Sequence, residues 1–431
     1  MWDKEQLCSY GVDALLASGA DEAQFSLIES EKHELNLDAQ RLSLLRTAHD
    51  TQATLVAIKN ARKGTSRINQ VKRDAMDKAA IDCVDIAQAA LPDAAHALAP
   101  AQPQASFSRG GELPERDQML FRLQEFMKTV AQRYPKVLLR QAFLDFTHTR
   151  GCLVNSHGVN FRTRKGVYRL TVTFSAQDGD DVSSFNYTSV AMPDLDNELI
   201  VCGSLERLLK QSQEQIRTTP VAGKFVGDVI IAPDCLGEVI GFLARSISDG
   251  AMIAGTSIYK DRLNEAVADA QLCLHSCPRS EEICDGYFLT GDGYAAKDST
   301  IVERGVLKSY LLSLYGARKT GRQRSGNDGR SWVVDGGSFS LDSMIQSVDR
   351  GVLLSRFSGD SPTPSGDFSG VAKNSYLIKD GVVAQPLSES MIAGNLADML
   401  MNITAISQER VNFGYGMAPW VKVSGVTVSG R

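Results

Sequence analysis

An α+β fold is predicted: an N-terminal α/β half with helices on a sheet, then a C-terminal half of mostly antiparallel β-sheet. Three observations carry this. Residues 71–91 place Met76, Ala80, Val84, Ala87 and Leu91 at spacings of three and four, and Pro92 follows, which reads as an amphipathic helix. Tyr168, Leu170, Val172 and Phe174 alternate strictly with Arg169, Thr171, Thr173 and Ser175, which reads as a strand with one dry face. After residue 248 the chain reads as mostly strand, with hairpins over 302–306 and 379–382 around Arg304-Gly305 and Asp380-Gly381.

The elements follow in order. A helix over 3–17 carries Leu7, Val12, Leu15 and Leu16. Strands are expected over 24–29, 34–45 and 52–59, then the 71–91 helix. Residues 92–114 are rich in Ala, Pro and Gln, contain Gly110-Gly111 and lack a period, which predicts a linker. A helix over 115–133 puts Leu120, Leu123, Phe126, Met127 and Val130 on one stripe. Strands around 168–175 and 182–191 flank the turn at 177–181. The nearly continuous apolar run 225–232 predicts a buried strand, and a helix to about 248 follows with Asp234 as its N-cap. A last helix is expected over about 389–403. These boundaries divide the chain into 1–100, 101–224 and 225–431.

Composition narrows the function. Of 431 residues, 43% are hydrophobic and 23% charged, an ordinary globular balance. The net charge of −5 gives no overall pull toward nucleic acid or anionic membrane. No apolar run approaches the ~18 residues of a spanning helix. The charged start Asp3-Lys4-Glu5 does not read as a secretory signal, so a cytoplasmic protein with eight reduced cysteines is expected. Cys273, His275, Cys277 and Cys284 are potential soft ligands, but a second clean pair is missing, and incidental thiols on a strand are the expectation. There is no G-x-S-x-G elbow and no phosphate-binding G-x-x-x-x-G-K-[ST]. Gly291-Asp292-Gly293 reads as a loop. Arg318, Lys319, Arg322, Arg324 and Arg330 lie in a Gly-rich stretch that reads as a mobile, solvated loop.

Several segments together carry a resemblance: Gly366-Asp367-Phe368-Ser369-Gly370, residues 374–381 (NSYLIKDG) and residues 392–400 (IAGNLADML). Weaker support comes from residues 154–158 and 315–319. The sequence resembles the TldD/PmbA proteins, once called modulators of DNA gyrase. The resemblance implies two kinds of member. TldD-like chains carry H-E-x-x-x-H on a helix plus a later cysteine and are similar to zinc metallopeptidases; PmbA-like (TldE-like) chains lack those ligands. Here Gly237 and Phe242 stand at the two histidine positions, Glu238 matches the glutamate, and residues 366–370 contain no cysteine. Glycine and phenylalanine donate nothing to zinc, and a catalytic zinc needs about three protein ligands. The resemblance therefore implies no metal in this chain and zinc in a TldD-like partner.

The expected function follows: a PmbA-like, non-catalytic subunit that helps bind unstructured peptides, by strand addition to a sheet edge. The expected peptide contacts are Gly237, Gly241, Phe242, Asp367, Phe368 and Ser369. Glu238 is the one catalytic candidate; its bland reading is a first-turn acid favoured by the helix dipole. Gly237 and Gly241, one turn apart, would permit close approach of another backbone. The partner is a TldD-like subunit or a second copy. An active peptidase homodimer with an unrecognised metal site and a pure interaction protein stay open as rivals.

Overall fold

The structure is a computed structural model describing residues 4–38, 41–388 and 390–430. The expected helix starts at residues 3 and 389, and positions 39–40 of the second expected strand, lie outside the described residues. The fold is mixed α+β, built on two sheets.

The first sheet contains β1 (Glu22–Asp38), β2 (Arg41–Lys59), β3 (Arg62–Ile68), β4 (Ala105–Arg109), β5 (Val137–Asn155), β6 (Asn160–Asp178), β7 (Asp181–Val182) and β8 (Asn186–Met192). Its order is β3-β2-β1-β5-β6-β4, with β7 and β8 also on β6, and only the β4–β6 pairing is parallel. Helices α1 (Lys4–Ala17) and α2 (Arg73–Ala89) cover one part through Val12, Leu15, Met76, Ala80 and Val84. Gly64 lets α2 approach β3, since a Cβ there would lie 2.0 Å from the Cys83 carbonyl oxygen. Helices α3 (Arg116–Arg133) and α4 (Leu205–Glu214) cover another part, burying Leu123, Phe126, Leu205 and Leu208 against Leu170, Val172 and Phe174 of β6.

The second sheet runs β12-β11-β10-β13-β21-β9-β14-β17-β18. Its strands are β9 (Lys224–Ile231), β10 (Leu274–Ser276), β11 (Ser299–Glu303), β12 (Val306–Leu307), β13 (Trp332–Val334), β14 (Arg350–Leu354), β15 (Arg356–Gly359), β16 (Asp367–Lys373), β17 (Tyr376–Lys379), β18 (Val382–Pro386), β19 (Ser390–Asn395), β20 (Ile403–Asn412) and β21 (Met417–Ser429). Off the main path, β20 pairs β21, and β19 joins β21 to β16, which in turn pairs β15. Most neighbours are antiparallel; β9–β14 and β13–β21 are parallel. Helices α5 (Pro233–Ser246), α6 (Asp249–Ala254), α7 (Leu314–Thr320), α8 (Leu341–Gln346) and α9 (Leu396–Met401) accompany it. The main core packs Leu236, Val239 and Leu243 of α5 on Val229, Ile231, Val421 and Val423.

Several expectations need correction. The 92–114 segment is more than a linker: β4 forms within it, and Arg109 donates to the carbonyls of Pro278, Arg279 and Ile283, tying the two sheets together. The 389–403 helix is strand over Ser390–Asn395 and helix only from Leu396, because Ile392 and its neighbours pair with β16 and β21. The basic 318–330 stretch is packed: Arg324 sits in an ion pair with Asp292, Lys319 with Asp93 and Arg322 with Asp261, while Asn327 is buried. Cys8 of α1 and Cys152 of β5 are not isolated thiols: their sulfurs face each other across the helix–sheet contact.

Candidate functional site: a groove and a cavity flanking one helix

The apolar strand β9 ends at α5, where Pro233 opens the helix with its fixed backbone angle and dispensable N–H. Ala232, in extended conformation, is the N-cap. Asp234 lies inside the first turn, paired with Arg207 and accepting a 2.8 Å bond from Ser204 Oγ, so it is not the cap. Glu238 lies on the second turn and is exposed, beyond the first turn where the dipole acts most strongly.

Glu238 faces a groove of about 400 Å³, together with Phe357, Phe368, Ile392, Leu396 and Met399. Phe357 and Phe368 meet edge to face, with centroids 5.5 Å apart. Cys235 lies at the groove wall, and burial, aided by the Glu238 charge, pushes its thiol up to about 12. At neutral pH that thiol is protonated and a poor nucleophile.

The structure brings α5 and residues 366–370 together. Gly366 has φ +101°, and a Cβ there would lie 3.0 Å from Phe242 Cζ and 2.9 Å from Asn395 Oδ1. Phe242 is buried, with its ring edge-on to Tyr259, so its role is core packing beneath Gly366. Asp367 accepts from Ser365 Oγ at 2.7 Å and Asn395 Nδ2 at 3.0 Å. Those bonds hold its carboxyl below the usual range. Asn395 also caps α9, accepting from the Ala397 and Asp398 amides, so Asp367 fixes a turn to a helix start. Ser369 is exposed, on the same strand face as Asp367, opposite Phe368.

Gly237 does not face this groove. It lines a second cavity, of about 710 Å³, between the two sheets, with Arg356, Tyr187, Tyr287, Lys165 and Asp285 among its walls. The expected backbone approach at the two glycines is absent. A Cβ on Gly237 would meet nothing within 4 Å, and one on Gly241 only the flexible end of Arg245 at 3.2 Å. Of the sequence-derived residues, Glu238 and Phe368 share a groove, Phe242 lies in the core, and Gly237 opens elsewhere. Sequence reasoning missed Phe357 and Arg356; adjacent aromatic and cationic residues at the start of β15 were the available signal.

The donor set does not fit a catalytic zinc. Gly237 and Phe242 offer no ligand atom, leaving on that face of α5 only Glu238 and the buried, protonated Cys235 thiol. Among the described residues, no three His, Cys, Asp or Glu side chains group to hold a metal. His275 is held by Thr300 Oγ1 at 3.0 Å and Asp335 at 3.3 Å. Cys277 packs with Ile283 and Met417, whereas Cys284 packs with Val167 and Ala191.

Residues 223–430 match the model of the PmbA/TldA metallopeptidase C-terminal domain. The chain is 25% identical over 306 residues to Metalloprotease PmbA of Escherichia coli O157:H7, covering 66% of this chain and 67% of that one. It is 29% identical over 228 residues to a metalloprotease of Methanothermobacter thermautotrophicus, covering 48% of this chain and 47% of that one. The second alignment thus spans about half of that relative's length. TldE from Thermococcus kodakarensis shares the fold, with a TM-score of 0.87 at 19% identity, covering 99% of this chain and 100% of that one. Residues 223–430 thus form a C-terminal domain of the PmbA/TldD family.

Proposed function

We propose that this chain is a PmbA/TldE-like, non-catalytic subunit of a cytoplasmic TldD/PmbA-type metallopeptidase system, holding unstructured peptide for a zinc-bearing, TldD-like partner. The carrying observation is the α5 face itself: Glu238 lines a groove of mixed polarity with Cys235 and Asp360, yet no three donors group there to hold a metal among the described residues. Without a metal-bound water the carboxylate has no activated nucleophile to serve. Cys235 supplies none either, because its thiol stays protonated.

The groove supports a binding role. β15 pairs with β16 on one side, and its other edge has no strand partner among the described residues, the Phe357 amide there meeting Cys235 of α5. A peptide adding there gains main-chain hydrogen bonds that do not depend on its sequence. Phe357 and Phe368 then offer apolar contact to alternate side chains. Among the described residues, no helix is long and apolar enough to cross a membrane.

The test pairs metal analysis with peptidase assays on an unfolded peptide. The purified chain is expected to carry no stoichiometric zinc and to cleave nothing alone. Adding a zinc-bearing family member from the same cell is expected to give cleavage. Metal-dependent cleavage by the single chain would overturn the reading in favour of a peptidase homodimer.

A further inference from the structure

Arg356 and Phe357 are consecutive on β15, so their side chains leave opposite faces. Phe357 enters the groove beside Glu238, and Arg356 enters the cavity between the two sheets. An extended chain on this edge would therefore lie beside both spaces.

The cavity is electrostatically uneven. Lys165, Arg169, Arg330 and Arg356 line it, against Asp234 and Asp285. Both acids are already engaged: Asp285 by Lys165 at 2.7 Å and by Arg169, and Asp234 by Arg207. Arg330 lies 3.5 Å from Asp328. Arg356 alone of the four cations has no carboxylate partner among the described residues. Its Nε donates to Asn186 Oδ1 at 2.7 Å, its Nη2 donates to the Tyr187 carbonyl, and its guanidinium lies 3.7 Å from the Tyr187 ring centroid. Neutral oxygens and a ring hold the group in place, Asp234 acts on it without an ion pair, and Nη1 has no partner among the described residues. Burial pushes this guanidinium below its usual value, and the nearby Asp234 charge, already paired with Arg207, only partly offsets it.

We propose that the cavity is a carboxylate subsite, in which Arg356 receives a carboxylate of the peptide lying along β15. This rests on the peptide-binding reading above. Two sources share that chemistry, the C-terminal carboxylate and an acidic side chain at the end of the peptide. A planar guanidinium with a free edge suits either through charge-assisted hydrogen bonds.

Fluorescence anisotropy on the full chain tests this, using one N-terminally labelled, unstructured peptide in three forms: free acid, C-terminal amide, and amide ending in Glu. The free acid is expected to bind about tenfold tighter than the plain amide. Recovery of that affinity by the Glu-ended amide marks a subsite for any carboxylate; no recovery marks one for the chain terminus. In Arg356→Gln the difference between acid and amide is expected to vanish, and in Arg356→Lys to shrink. Equal binding of acid and amide by the unmodified protein overturns the subsite while leaving peptide binding intact, and needs no variant to fold. A difference that survives Arg356→Gln also overturns it. Failure of all three peptides to bind overturns the peptide reading and the subsite together.

Discussion

Arg324 and Arg356 are posed alike and matched differently. Each guanidinium carbon lies 3.7 Å from a tyrosine centroid, Tyr294 for the first and Tyr187 for the second. Arg324 grips Asp292 through Nε at 2.7 Å and Nη2 at 2.6 Å, and also donates to Thr290 Oγ1 and the Ser325 carbonyl. Burial pushes the Asp292 carboxyl up, but Arg324 and Thr290 outweigh it, and the group ends below its ordinary range. Arg356 has the stacking and the hydrogen bonds without the countercharge. The first is a closed unit that holds loops together. The second is a poised charge at a cavity wall, and its unmet charge is what a ligand can use.

The largest expected effect breaks the closed unit. Arg324→Met strands a mostly buried carboxylate and should cost about 3–5 kcal/mol in chemical denaturation. Arg356→Gln should cost less, about 1–3 kcal/mol, because it removes bonds to neutral oxygens and leaves no orphaned charge. Equal losses at the two positions would erase the contrast between a structural and a poised arginine.

That contrast also marks how far the sequence could be read. Apolar periodicity disclosed α2, α3 and the β6 alternation, since each buries one face, and the continuous apolar run disclosed β9, whose end is buried on both faces at Val229, Ile230, Ile231 and the following Ala232. It failed at Ile392, which keeps helical spacing with Leu396 and Met399 yet sits in a strand held from both sides. It missed β4, a five-residue edge strand within Pro-rich sequence, and α4, whose Leu205, Leu208 and Leu209 had the right spacing. The 318–330 stretch looked mobile because its countercharges are far along the chain: Lys319 meets Asp93, 226 residues away. Arg356 finds Asn186 at a separation of 170 residues. Pairing across such distances leaves no local pattern. The groove was partly legible because residues 366–370 and α5 were singled out together. Successive helix residues, however, turn by about 100°, which aims Gly237 away from the groove that Glu238 faces.

A smaller effect tests whether the α7 contact is closed in the manner of Arg324. Asp93 accepts from the Ala95 amide at 2.9 Å, Lys319 Nζ at 3.0 Å and Tyr315 Oη at 2.8 Å. The Ala95 amide, then Lys319 and Tyr315, lower its carboxyl to about 2. A depressed folded pKa gives stabilisation that is present above the unfolded value of ~3.9 and is lost as pH falls through the folded one. Hydrogen exchange should show α7 loosening between about pH 4 and pH 2. An Asp93 carboxyl that titrates at its ordinary value by NMR would mean that these three bonds do not favour the ionised form.

The smallest expected effect is at Glu238, and it bears most directly on the catalytic question. Its side chain is exposed on the second turn of α5, so Glu238→Gln should change stability by less than about 0.5 kcal/mol. The family resemblance aligns it with the glutamate of H-E-x-x-x-H, but Gly237 and Phe242 offer no atom that could hold a metal beside it. A carboxylate with no activated water to deprotonate contributes no proton transfer. Cleavage by the pair of this chain with a zinc-bearing partner should therefore survive the substitution nearly unchanged. General-base loss typically removes about 10²–10⁴-fold of rate. A fall of that size in the Glu238→Gln pair would place the chemistry on this chain, and the groove would then have to be read as an active site.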